Sequence, residues 1–451
     1  MQLPPEFLQA IASSPGFRRV PFEAVHNAGK QVTSVRLNPS KPILQPDWKL
    51  HPVPWCAHGY YLRERPSFIL DPLWQAGTYY VQEASSMFLW HVLDRLTGKS
   101  TRPIVLDLCA APGGKTSLLE SFFTEGLIVS NEVIRSRSSV LLENMTRWGS
   151  ARVVVTQNDP AHFRRLENFF DIMVTDVPCS GSGLLRRDPD AIRNWSPDAV
   201  NHCSQRQQRI LADALPALKK GGLLIYTTCS YSVEEDEQIA AWLVKEMEME
   251  PISIPVPSDW GIVVSEQEKG IPGYRFYPDR LDGEGFFLAV FRKKSGGSDC
   301  HIHSAKLQQP GKEEQKIVTD FFAIPEAYSC FKQDAGIRLF PREWLPQLQQ
   351  LAAGLYIRKA GVEMGCVKGK DFVPSHELAL SPVNEGQFNR VTLHLPEAQQ
   401  YVKRMELQLT GIDKGWNLVC YDHHPLGWVK ALPNRINNYF PAEWRVLKSQ
   451  D

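Results

Sequence analysis

Two cysteines, each at the end of an apolar run, carry the reactive potential of this sequence. Cys229 follows "GGLLIYTT", and Cys179 follows "FDIMVTDVP", in which Asp176 lies three positions before the thiol. Such runs are typical of buried strands, and open α/β sheets bind their ligands at the carboxyl ends of the strands. If the two strands are neighbours, both thiols and the carboxyl group converge on one site. A single cysteine at a strand end is usually just a small buried hydrophobe, so the inference depends on this convergence.

These groups fit the methylation of carbon 5 of a pyrimidine. That carbon is too weak a nucleophile to take a methyl group directly, but a thiolate that adds to carbon 6 moves electron density onto it. A base then removes the proton from carbon 5, and elimination frees the enzyme. The reaction needs a cysteine whose pKa favours the thiolate and an acid near the ring nitrogen, for which Asp176 is placed. The residues alone leave open which cysteine attacks.

A glycine-rich turn, "CAAPGGKT" at 109–116, connects an apolar run to the start of a helix. Such a turn aims backbone N–H groups at an anion. A P-loop would need a glycine where Cys109 stands, and the GxGxxG pattern of a dinucleotide site is absent. S-adenosylmethionine (SAM) needs only a close approach of the backbone and an acid for its ribose hydroxyls. Glu132, at the end of the second run, supplies that acid, and Asp159, after the third, is placed to meet the adenine edge.

In the part of the sequence that contains these residues, short apolar runs alternate with longer amphipathic stretches. This alternation predicts a doubly wound α/β domain with a mostly parallel sheet. The stretch "NHCSQRQQRILADALPALKKGG" (201–222) predicts a helix that ends at the paired glycines. The expected strands are 104–108, 127–130, 153–156, 172–175, 223–227 and 286–291.

The chain of 451 residues is long enough for two or three domains. Residues 1–95, rich in proline and tryptophan, predict a small α+β N-terminal domain, and 96–295 contain the α/β pattern. The glycine- and serine-rich stretch 296–315 is typical of a linker. The short strands and turns of 316–451 predict a β-rich C-terminal module.

Composition excludes several classes of protein. The 9 cysteines are scattered and never spaced CxxC, which indicates a reducing compartment rather than a disulfide framework or a zinc site. No apolar run reaches the roughly 18 residues of a membrane span, and the first residues lack the pattern of a secretion signal. We therefore expect a cytoplasmic protein without a metal. A formal net charge of zero gives no global argument for nucleic acid.

Four stretches carry a resemblance to a known family: "CAAPGGKT", "DVPCSGSGLLRRDPDAIRNWS", "GGLLIYTTCSYSVEEDE" and "GYRFYPDRLDGEGFFLAVF". Together they resemble the Nop/Sun family of RNA 5-methylcytosine methyltransferases, and most closely its RsmF-like branch. The resemblance extends over nearly the whole chain, through "YYVQEASSMF" in the N-terminal region and "YDHHPLGWVKALPNRINNYFPAEWR" near the carboxy terminus. It implies a Rossmann-like SAM-dependent methyltransferase core, an N-terminal domain that helps to bind RNA, and a PUA-like C-terminal RNA-binding module.

The resemblance also implies roles for single residues. It makes Cys229 the nucleophile, Cys179 the group that assists product release, and Asp176 the acid at the ring nitrogen. Two departures from the family pattern are Val177, where alanine is more usual, and Pro160, which makes the adenine-side loop less certain. The implied cofactor-binding residues are Cys109, Ala110, Ala111, Pro112, Gly113, Gly114, Lys115, Glu132, Asp159 and Asp176.

An RNA substrate would need stacking and phosphate-binding groups, since the target base must be single-stranded or flipped out. One set of candidates follows the Cys179 motif: Arg186, Arg187, Arg193 and Trp195. A second set lies near the carboxy terminus: Lys430, Arg435, Trp444 and Arg445. The alternative interpretation of the first set is a solvated helix cap with a core tryptophan, and that of the second is an ordinary basic turn.

By resemblance, the expected reaction is methylation of carbon 5 of cytosine in 16S ribosomal RNA, and the expected partner is this RNA in a partly assembled small subunit. Transfer RNA is the alternative substrate. A non-catalytic ribosome-assembly factor would show erosion of the site, yet Lys115, Glu132, Asp176, Cys179 and Cys229 are all present. Cys109 disfavours a P-loop nucleotide hydrolase. We expect a monomer.

Overall fold

The apolar runs of the central region form the middle of one large sheet. A computed structural model describes residues 3–43, 51–98, 101–188, 191–266, 270–296, 303–384 and 386–447. Within those ranges, no helix combines the length and the apolar character that crossing a membrane requires.

The described residues form strands and α-helices in all three predicted regions. The strands are β1 Thr33–Leu37, β2 His51–Pro52, β3 Gly59–Leu62, β4 Tyr79–Val81, β5 Ile104–Asp107, β6 Leu127–Asn131, β7 Val153–Thr156, β8 Phe170–Asp176, β9 Leu218–Thr228, β10 Met249–Pro251, β11 Val263–Ser265, β12 Gly273–Phe276, β13 Phe286–Lys293, β14 Tyr328–Gln333, β15 Gly336–Pro341, β16 Ile357–Ala360, β17 Val362–Lys368, β18 Asp371–Pro374, β19 Arg390–Thr392, β20 Gly415–Tyr421, β21 His424–Leu432 and β22 Arg435–Asn438. The helices are α1 Pro5–Ala10, α2 Arg19–Ala28, α3 Pro72–Gln75, α4 Phe88–Leu96, α5 Gly114–Phe122, α6 Arg135–Trp148, α7 Ala191–Asn194, α8 Pro197–Ala214, α9 Glu237–Lys245, α10 Lys312–Phe321, α11 Leu345–Gly354, α12 His376–Leu380 and α13 Leu395–Val402.

Strands β5 to β9 form the parallel part of a ten-stranded sheet. Its order is β11-β12-β13-β9-β8-β5-β6-β7-β16, and β10 pairs with β13. Along β5 the side chains alternate between faces: Ile104 and Leu106 share a core with residues of α8 and α9, whereas Val105 shares a core with residues of α5 and α6. Helices thus cover both faces, which explains the continuous apolar content of the strands. The predicted doubly wound α/β core is confirmed.

One predicted helix ends earlier than expected. The stretch 201–222 was predicted as a single helix, but α8 stops at Ala214, and a short 3₁₀ turn containing Pro216 follows it. Leu218, which lies within the predicted helix, instead begins β9. The glycines do not stop the helix. Gly221 has a φ of +77°, in a part of β9 where the pairing with β8 shifts register.

The N-terminal region packs directly on the central sheet. It contains a four-stranded sheet in the order β2-β3-β1-β4, followed by α4. Trp55, Phe88 and Val92 from this region belong to the same core as Val105 of β5 and Leu118 of α5. The junction between the two regions is therefore apolar and continuous, as within a single domain.

The C-terminal region contains two further four-stranded sheets, β14-β15-β17-β18 and β19-β20-β21-β22. The β-rich character expected of this region is confirmed. Its strand β16, however, leaves both sheets and pairs antiparallel with β7 of the central sheet. The predicted linker 296–315 lies partly outside the described residues, and its last residues begin helix α10 at Lys312. The division of the chain into domains stays a prediction.

Candidate active site

The two cysteine-bearing strands are neighbours, as the convergence of their side chains required. β8 and β9 pair in parallel, with Asp176 opposite Thr227. The loops that follow bring the Sγ atoms of Cys179 and Cys229 to 3.0 Å from each other. The structure therefore places both thiols at the carboxyl edge of the sheet, next to Asp176.

The two thiols differ in what they face. Cys229 lines a cavity of about 330 Å³ together with Cys109, Lys115 and Asp176, and Cys179 is not among its lining residues. The hydrogen bond to Cys229, together with burial, raises the pKa of the Cys179 thiol. The Cys179 thiol therefore holds its proton more tightly than a free thiol does, and Cys229 is the sulfur that faces the cavity.

A third thiol in the cavity, that of Cys109, is not a competing nucleophile. Burial, with a smaller contribution from the nearby Glu132 carboxylate, raises its pKa. A cysteine with a raised pKa remains a neutral thiol at neutral pH and reacts poorly. Cys109 thus contributes shape to the cavity rather than a thiolate.

Asp176 is one half of an ion pair rather than an isolated acid. Its Oδ2 atom lies 2.8 Å from Nζ of Lys115, and its Oδ1 atom accepts a hydrogen bond from Oγ1 of Thr227 at 2.9 Å. Burial alone would lower the pKa of Lys115, but the charge of Asp176 and its hydrogen bond outweigh burial, so that this pKa is raised. An ammonium group and a carboxylate therefore stand together in the cavity wall beside Cys229.

Buried Glu235 holds the two cysteine loops together. One carboxylate oxygen accepts a hydrogen bond from the backbone N–H of Ser180 at 2.7 Å. The other accepts from the hydroxyl groups of Ser180 and Ser230, both at 2.6 Å. Since Ser180 follows Cys179 and Ser230 follows Cys229, this carboxylate fixes the separation of the two thiols.

Most of the acidic run that follows Cys229 is internal, since Glu235, Asp236 and Glu237 are buried. Asp236 accepts a hydrogen bond from Oγ1 of Thr228 at 2.6 Å, and the guanidinium of Arg275 pairs with Asp236 and Glu237. The sequence contains one signal for the burial of these acids, namely the hydroxyl-rich stretch that precedes them, because buried carboxylates need hydrogen-bond donors.

The backbone segments at Gly183 and Gly285 pack closely against the loop that carries Cys229. The N–H of Gly183 donates to the carbonyl oxygen of Cys229 at 2.7 Å, and the N–H of Gly285 donates to the carbonyl oxygen of Gly183 at 3.0 Å. A Cβ atom added at Gly183 would lie 2.5 Å from the carbonyl oxygen of Gly285. Glycine is therefore the residue that fits at this position.

The predicted cofactor loop lines the same cavity. Its residues there are Cys109, Ala110, Ala111, Pro112, Gly114 and Lys115. Gly113 does not line the cavity. It has a φ of +113°, and a Cβ atom there would lie 2.8 Å from the methyl carbon of Met145. Its role is to let the loop pass close to α6.

Glu132 and Asp159 line a second, smaller cavity of about 100 Å³, which shares Cys109 with the first. Oε1 of Glu132 accepts a hydrogen bond from the N–H of Ile134 at 2.9 Å. Its buried Oε2 atom accepts no hydrogen bond from the described residues, although Nη1 of Arg137 lies 3.5 Å away. Oδ1 of Asp159 accepts from the N–H of Ala161 at 3.0 Å.

These two cavities fit the two ends of SAM. An orphaned buried acceptor on Glu132 suits a ribose hydroxyl, since such atoms normally have a donor. The backbone of the loop 109–115, which lines the larger cavity, suits the methionine end. Cys109 lines both cavities, so a molecule that occupies both would pass this residue.

The N-terminal region supplies one wall of the larger cavity. Tyr80, Val81, Gln82, Glu83 and Ser86 line it. These residues belong to the stretch "YYVQEASSMF", in which no site residue was predicted. Sequence reasoning missed them because their distance from the loop at 109–115 along the chain hides the contact.

Two of the candidate RNA-contact residues, Arg186 and Trp195, are buried. Arg186 is buried and donates through Nε to Glu284 at 2.9 Å, so its charge is satisfied inside the protein. Trp195 is also buried and packs its ring edge-to-face against Phe7, with centroids 5.1 Å apart. The alternative of a core tryptophan is the one that the structure supports.

The remaining RNA-contact candidates differ in exposure. Arg187 lines the cavity that Cys229 faces, and Arg193 is exposed. In the C-terminal region, Arg435 and Arg445 are exposed.

Two further C-terminal candidates contact neighbouring groups. Nζ of Lys430 lies 5.1 Å from the ring centroid of Trp416. The ring of Trp444 lies under the Arg147 guanidinium, 4.4 Å away. Trp444 is thus a packing residue between regions.

Across the part of the chain that the structure describes, no group of three or more His, Cys, Asp or Glu side chains is arranged to hold a metal ion.

Three family models match the chain in sequence order. The N-terminal domain of 16S rRNA methyltransferase RsmF matches residues 3–84, 16S rRNA methyltransferase RsmB/F matches 96–292, and the methyltransferase RsmF PUA domain matches 388–446. These matches cover both of the cysteine motifs and the predicted cofactor loop.

Relatives named ribosomal RNA small subunit methyltransferase F align along most of their length. The relative from Aeromonas hydrophila is 30% identical over 469 residues, covering 98% of this chain and 97% of the relative. The relative from Psychromonas ingrahamii is 31% identical over 422 residues, covering 88% and 85%.

Solved structures resemble part of the chain. A methyltransferase homolog protein from Pyrococcus horikoshii has a TM-score of 0.53 at 30% identity, covering 64% of this chain and 94% of its own. NSun6 from the same organism has a TM-score of 0.55 at 17% identity, covering 65% and 99%, which shows similarity of fold. The Rossmann-like methyltransferase core and the PUA-like C-terminal module are thereby confirmed.

Proposed function

Since the chain belongs to the RsmF family of 16S rRNA methyltransferases, we propose that it methylates carbon 5 of a cytosine in small-subunit ribosomal RNA and takes the methyl group from SAM. The observation that carries this proposal is the cavity that Cys229 shares with Lys115, Asp176 and the loop at 109–115. It unites a nucleophile, a proton donor and a cofactor cradle.

The residues that would hold SAM are those of the two cavities. Glu132 would accept hydrogen bonds from the ribose, Asp159 would contact the adenine edge, and the loop 109–115 would enclose the methionine end. When bound, SAM supplies an electrophilic methyl group.

Cys229 would add to carbon 6 of the cytosine as a thiolate. The addition makes carbon 5 nucleophilic, because the ring then carries the electron density of an enamine. Negative charge develops at the ring nitrogen opposite carbon 6. There the ion pair of Lys115 and Asp176 would provide the proton and a compensating charge. This ion pair, rather than a neutral carboxylic acid, is the proposed proton source.

Product release requires a base that takes the proton from carbon 5; the bond between Cys229 and carbon 6 then breaks, and its electron pair leaves with the sulfur as a thiolate. The Sγ atom of Cys179, 3.0 Å from that of Cys229, is placed to donate a hydrogen bond to the departing thiolate. A stabilised thiolate leaves faster. This accounts for a second cysteine that does not itself line the cavity.

The substrate is proposed to be 16S RNA in a partly assembled small subunit, which fits a cytoplasmic protein that acts as a monomer. Residues 1–95 and 316–451 are proposed to be RNA-binding domains flanking the catalytic domain at 96–295, and the exposed arginines Arg187, Arg193, Arg435 and Arg445 are proposed phosphate contacts.

The choice of substrate is tested by comparing naked 16S RNA, small subunits and transfer RNA, each lacking the modification, in one assay.

The role of the two cysteines is tested by replacing each of them separately. We expect Cys229→Ala to abolish methyl transfer from radiolabelled SAM to unmodified 16S RNA, because no covalent adduct forms, while calorimetry still detects SAM binding. We expect Cys179→Ala to accumulate a protein–RNA adduct, visible as a slower band on a denaturing gel.

Cys366→Ala is the matched control, since this half-buried cysteine lies in β17, outside the cavity, and it should behave as wild type. The opposite behaviour of the two active-site variants would exchange the roles of the cysteines. Bisulfite mapping of the product identifies the base, and methylation at any atom other than carbon 5 would refute the proposed reaction.

A further inference from the structure

The loop that carries Asp159 is held by a segment about 200 residues further along the chain. Oδ1 of Asn158 accepts a hydrogen bond from the backbone N–H of Tyr356 at 2.9 Å, and Nδ2 of Asn158 donates to the carbonyl oxygen of Tyr356 at 3.0 Å. The N–H of Gln157 donates to the same carbonyl oxygen at 3.1 Å. The amide of Asn158 thus pairs with the backbone of Tyr356 as a neighbouring strand would.

The opposite side of this loop is tied to the cofactor strands through Asn131. Oδ1 of Asn131 accepts from the N–H of Asn158 at 2.9 Å, and its Nδ2 atom donates to the carbonyl oxygen of Asn158 at 2.9 Å and to that of Leu108 at 3.2 Å. Leu108, Asn131 and Asn158 each immediately precede one of the residues that line the smaller cavity, namely Cys109, Glu132 and Asp159. One network therefore sets the spacing of all three.

The segment at Tyr356 is fixed by its own place in the fold. It leads into β16, which pairs with β7, and Nη1 of Arg358 lies 3.2 Å from Oε1 of Gln157 and 3.3 Å from the hydroxyl of Ser138 on α6. Asn158 is 5% exposed, whereas Tyr356 is 64% exposed. Tyr356 therefore acts through its backbone, and the specificity of the contact lies in the side chain of Asn158.

We propose that Asn158 is a positioning residue for the cofactor pocket, and that residues 356–360 of the C-terminal region determine the affinity for SAM by fixing Asp159 through it. The inference rests on the proposed function, because it takes the smaller cavity as the adenosine end of the SAM site. It assigns to the C-terminal region a part in cofactor binding, in addition to any contact with RNA.

Asparagine is the residue that this position requires. The contact needs one donor and one acceptor at the tip of a short side chain. An aspartate of the same size would keep the acceptor toward the N–H of Tyr356, but it would set an oxygen against the carbonyl oxygen. Asn158→Asp therefore breaks half of the contact while the volume stays the same.

The experiment measures SAM binding by titration calorimetry without RNA, and then steady-state methylation of unmodified 16S RNA. We expect Asn158→Asp to raise the Kd for SAM at least tenfold and to raise the KM for SAM similarly. The kcat at saturating SAM should stay within twofold, and the KM for RNA should not change. A group that acts only through stability would not produce this separation of KM from kcat.

Asn384→Asp is the matched control. Asn384 is also buried, and its Nδ2 atom donates to the carbonyl oxygens of Leu378 and Ala379, both at 2.7 Å. It lies in the C-terminal region and lines neither cofactor cavity. This variant should lower the melting temperature and leave the Kd for SAM unchanged.

Arg358→Met is the second variant, because it loosens the same loop from the β16 side and leaves Asn158 intact. We expect its Kd for SAM to rise two- to fivefold, and it decides the question if Asn158→Asp does not fold. An unchanged Kd in the folded variants, or a loss of kcat at an unchanged KM, would overturn the inference. Failure of the wild-type protein to bind SAM would instead refute the proposed function.

Discussion

At the scale of single residues, Asp107 carries a carboxyl group in the interior at the end of β5. Oδ2 accepts a hydrogen bond from Oγ1 of Thr116 at 2.6 Å, whereas Oδ1 has no hydrogen bond to the described residues. Burial raises the pKa of Asp107 to about 7, although the Thr116 hydrogen bond opposes the shift. The folded protein therefore binds this proton more tightly than the unfolded chain does.

The stability that this proton confers is fully present below the unfolded pKa of about 4 and is lost as the pH rises through about 7. We expect Asp107→Asn, which cannot ionise, to escape that loss. Between pH 5 and pH 8, the wild-type free energy of unfolding should fall by roughly 2 kcal/mol relative to the variant. Urea unfolding without cofactor at both pH values provides the measurement, and an equal pH dependence of the two proteins would contradict the raised pKa.

Single reactive residues were predictable where local patterns determine their position. Cys179, Cys229 and Asp176 follow apolar strands, and parallel neighbours bring such residues to one edge. The burial of Arg186 and Trp195 was not predictable, because it depends on Glu284 and Phe7, which are distant in the chain. No local pattern distinguishes an arginine that meets a distant carboxylate from one that meets a phosphate.

Among the short elements, the 3₁₀ turn Ser182–Leu184 supports the loop that carries Cys229. The carbonyl oxygen of Cys229 lies 2.7 Å from the position that a Cβ atom on Gly183 would occupy. Real Cβ atoms do not approach backbone oxygens so closely, so a side chain there must push the turn and the Cys229 loop apart.

We expect Gly183→Ala to reduce methyl transfer by about 100-fold, since a misplacement of about 1 Å in a reacting group has that order of effect. SAM binding should persist, because the displaced atoms lie on the nucleophile side of the cavity. Gly181→Ala serves as the control. That position has a φ of +73° but open space around it, so the rate should fall less than tenfold. Equal losses of rate in both variants would show that the contact between the added Cβ atom and the carbonyl oxygen of Cys229 is not the cause.

The elements themselves were partly predictable. The six expected strands all exist, because buried strands have a strong apolar signal. The strand 153–156 has the expected ends, and an end of each of the others differs by up to five residues. The helix at 201–222 was extended too far because the apolar pattern continued through Pro216, which favours a break. Strand β16 had no signal at all, since its partner β7 is far away in the sequence and only the folded chain brings the two together.

At the scale of the whole molecule, Arg36 fastens the N-terminal region to the catalytic region. This fully buried side chain donates to Oε1 of Gln82 at 2.9 Å and to the hydroxyl groups of Ser117 and Ser121 on α5, at 2.5 and 3.2 Å. Its guanidinium also lies 4.8 Å from the ring centroid of Trp148. One side chain thus joins β1, α5 and α6.

Replacement of Arg36 tests how strongly this junction stabilises the protein. We expect Arg36→Met to lower the free energy of unfolding by roughly 2 kcal/mol, because the buried hydroxyl and amide groups lose their donor. Arg18→Gln is the control, because the Arg18–Asp279 ion pair joins the same two regions with an arginine that is 45% exposed. Although Asp279 is 3% exposed, water screens the half-exposed arginine, so we expect this pair to contribute about 1 kcal/mol, less than Arg36. Equal effects in urea unfolding would show that burial of Arg36 is not what matters.

The late position of β16 in the chain has a consequence for protein synthesis. When β7 leaves the ribosome, the strand that will cover it is still about 200 residues from being made, and its backbone groups face outward without a partner. An uncovered edge of this kind recruits other chains. A nascent or prematurely terminated polypeptide that stops before Ile357 would therefore aggregate through Val153–Thr156, whereas the finished polypeptide caps that edge with its own later segment.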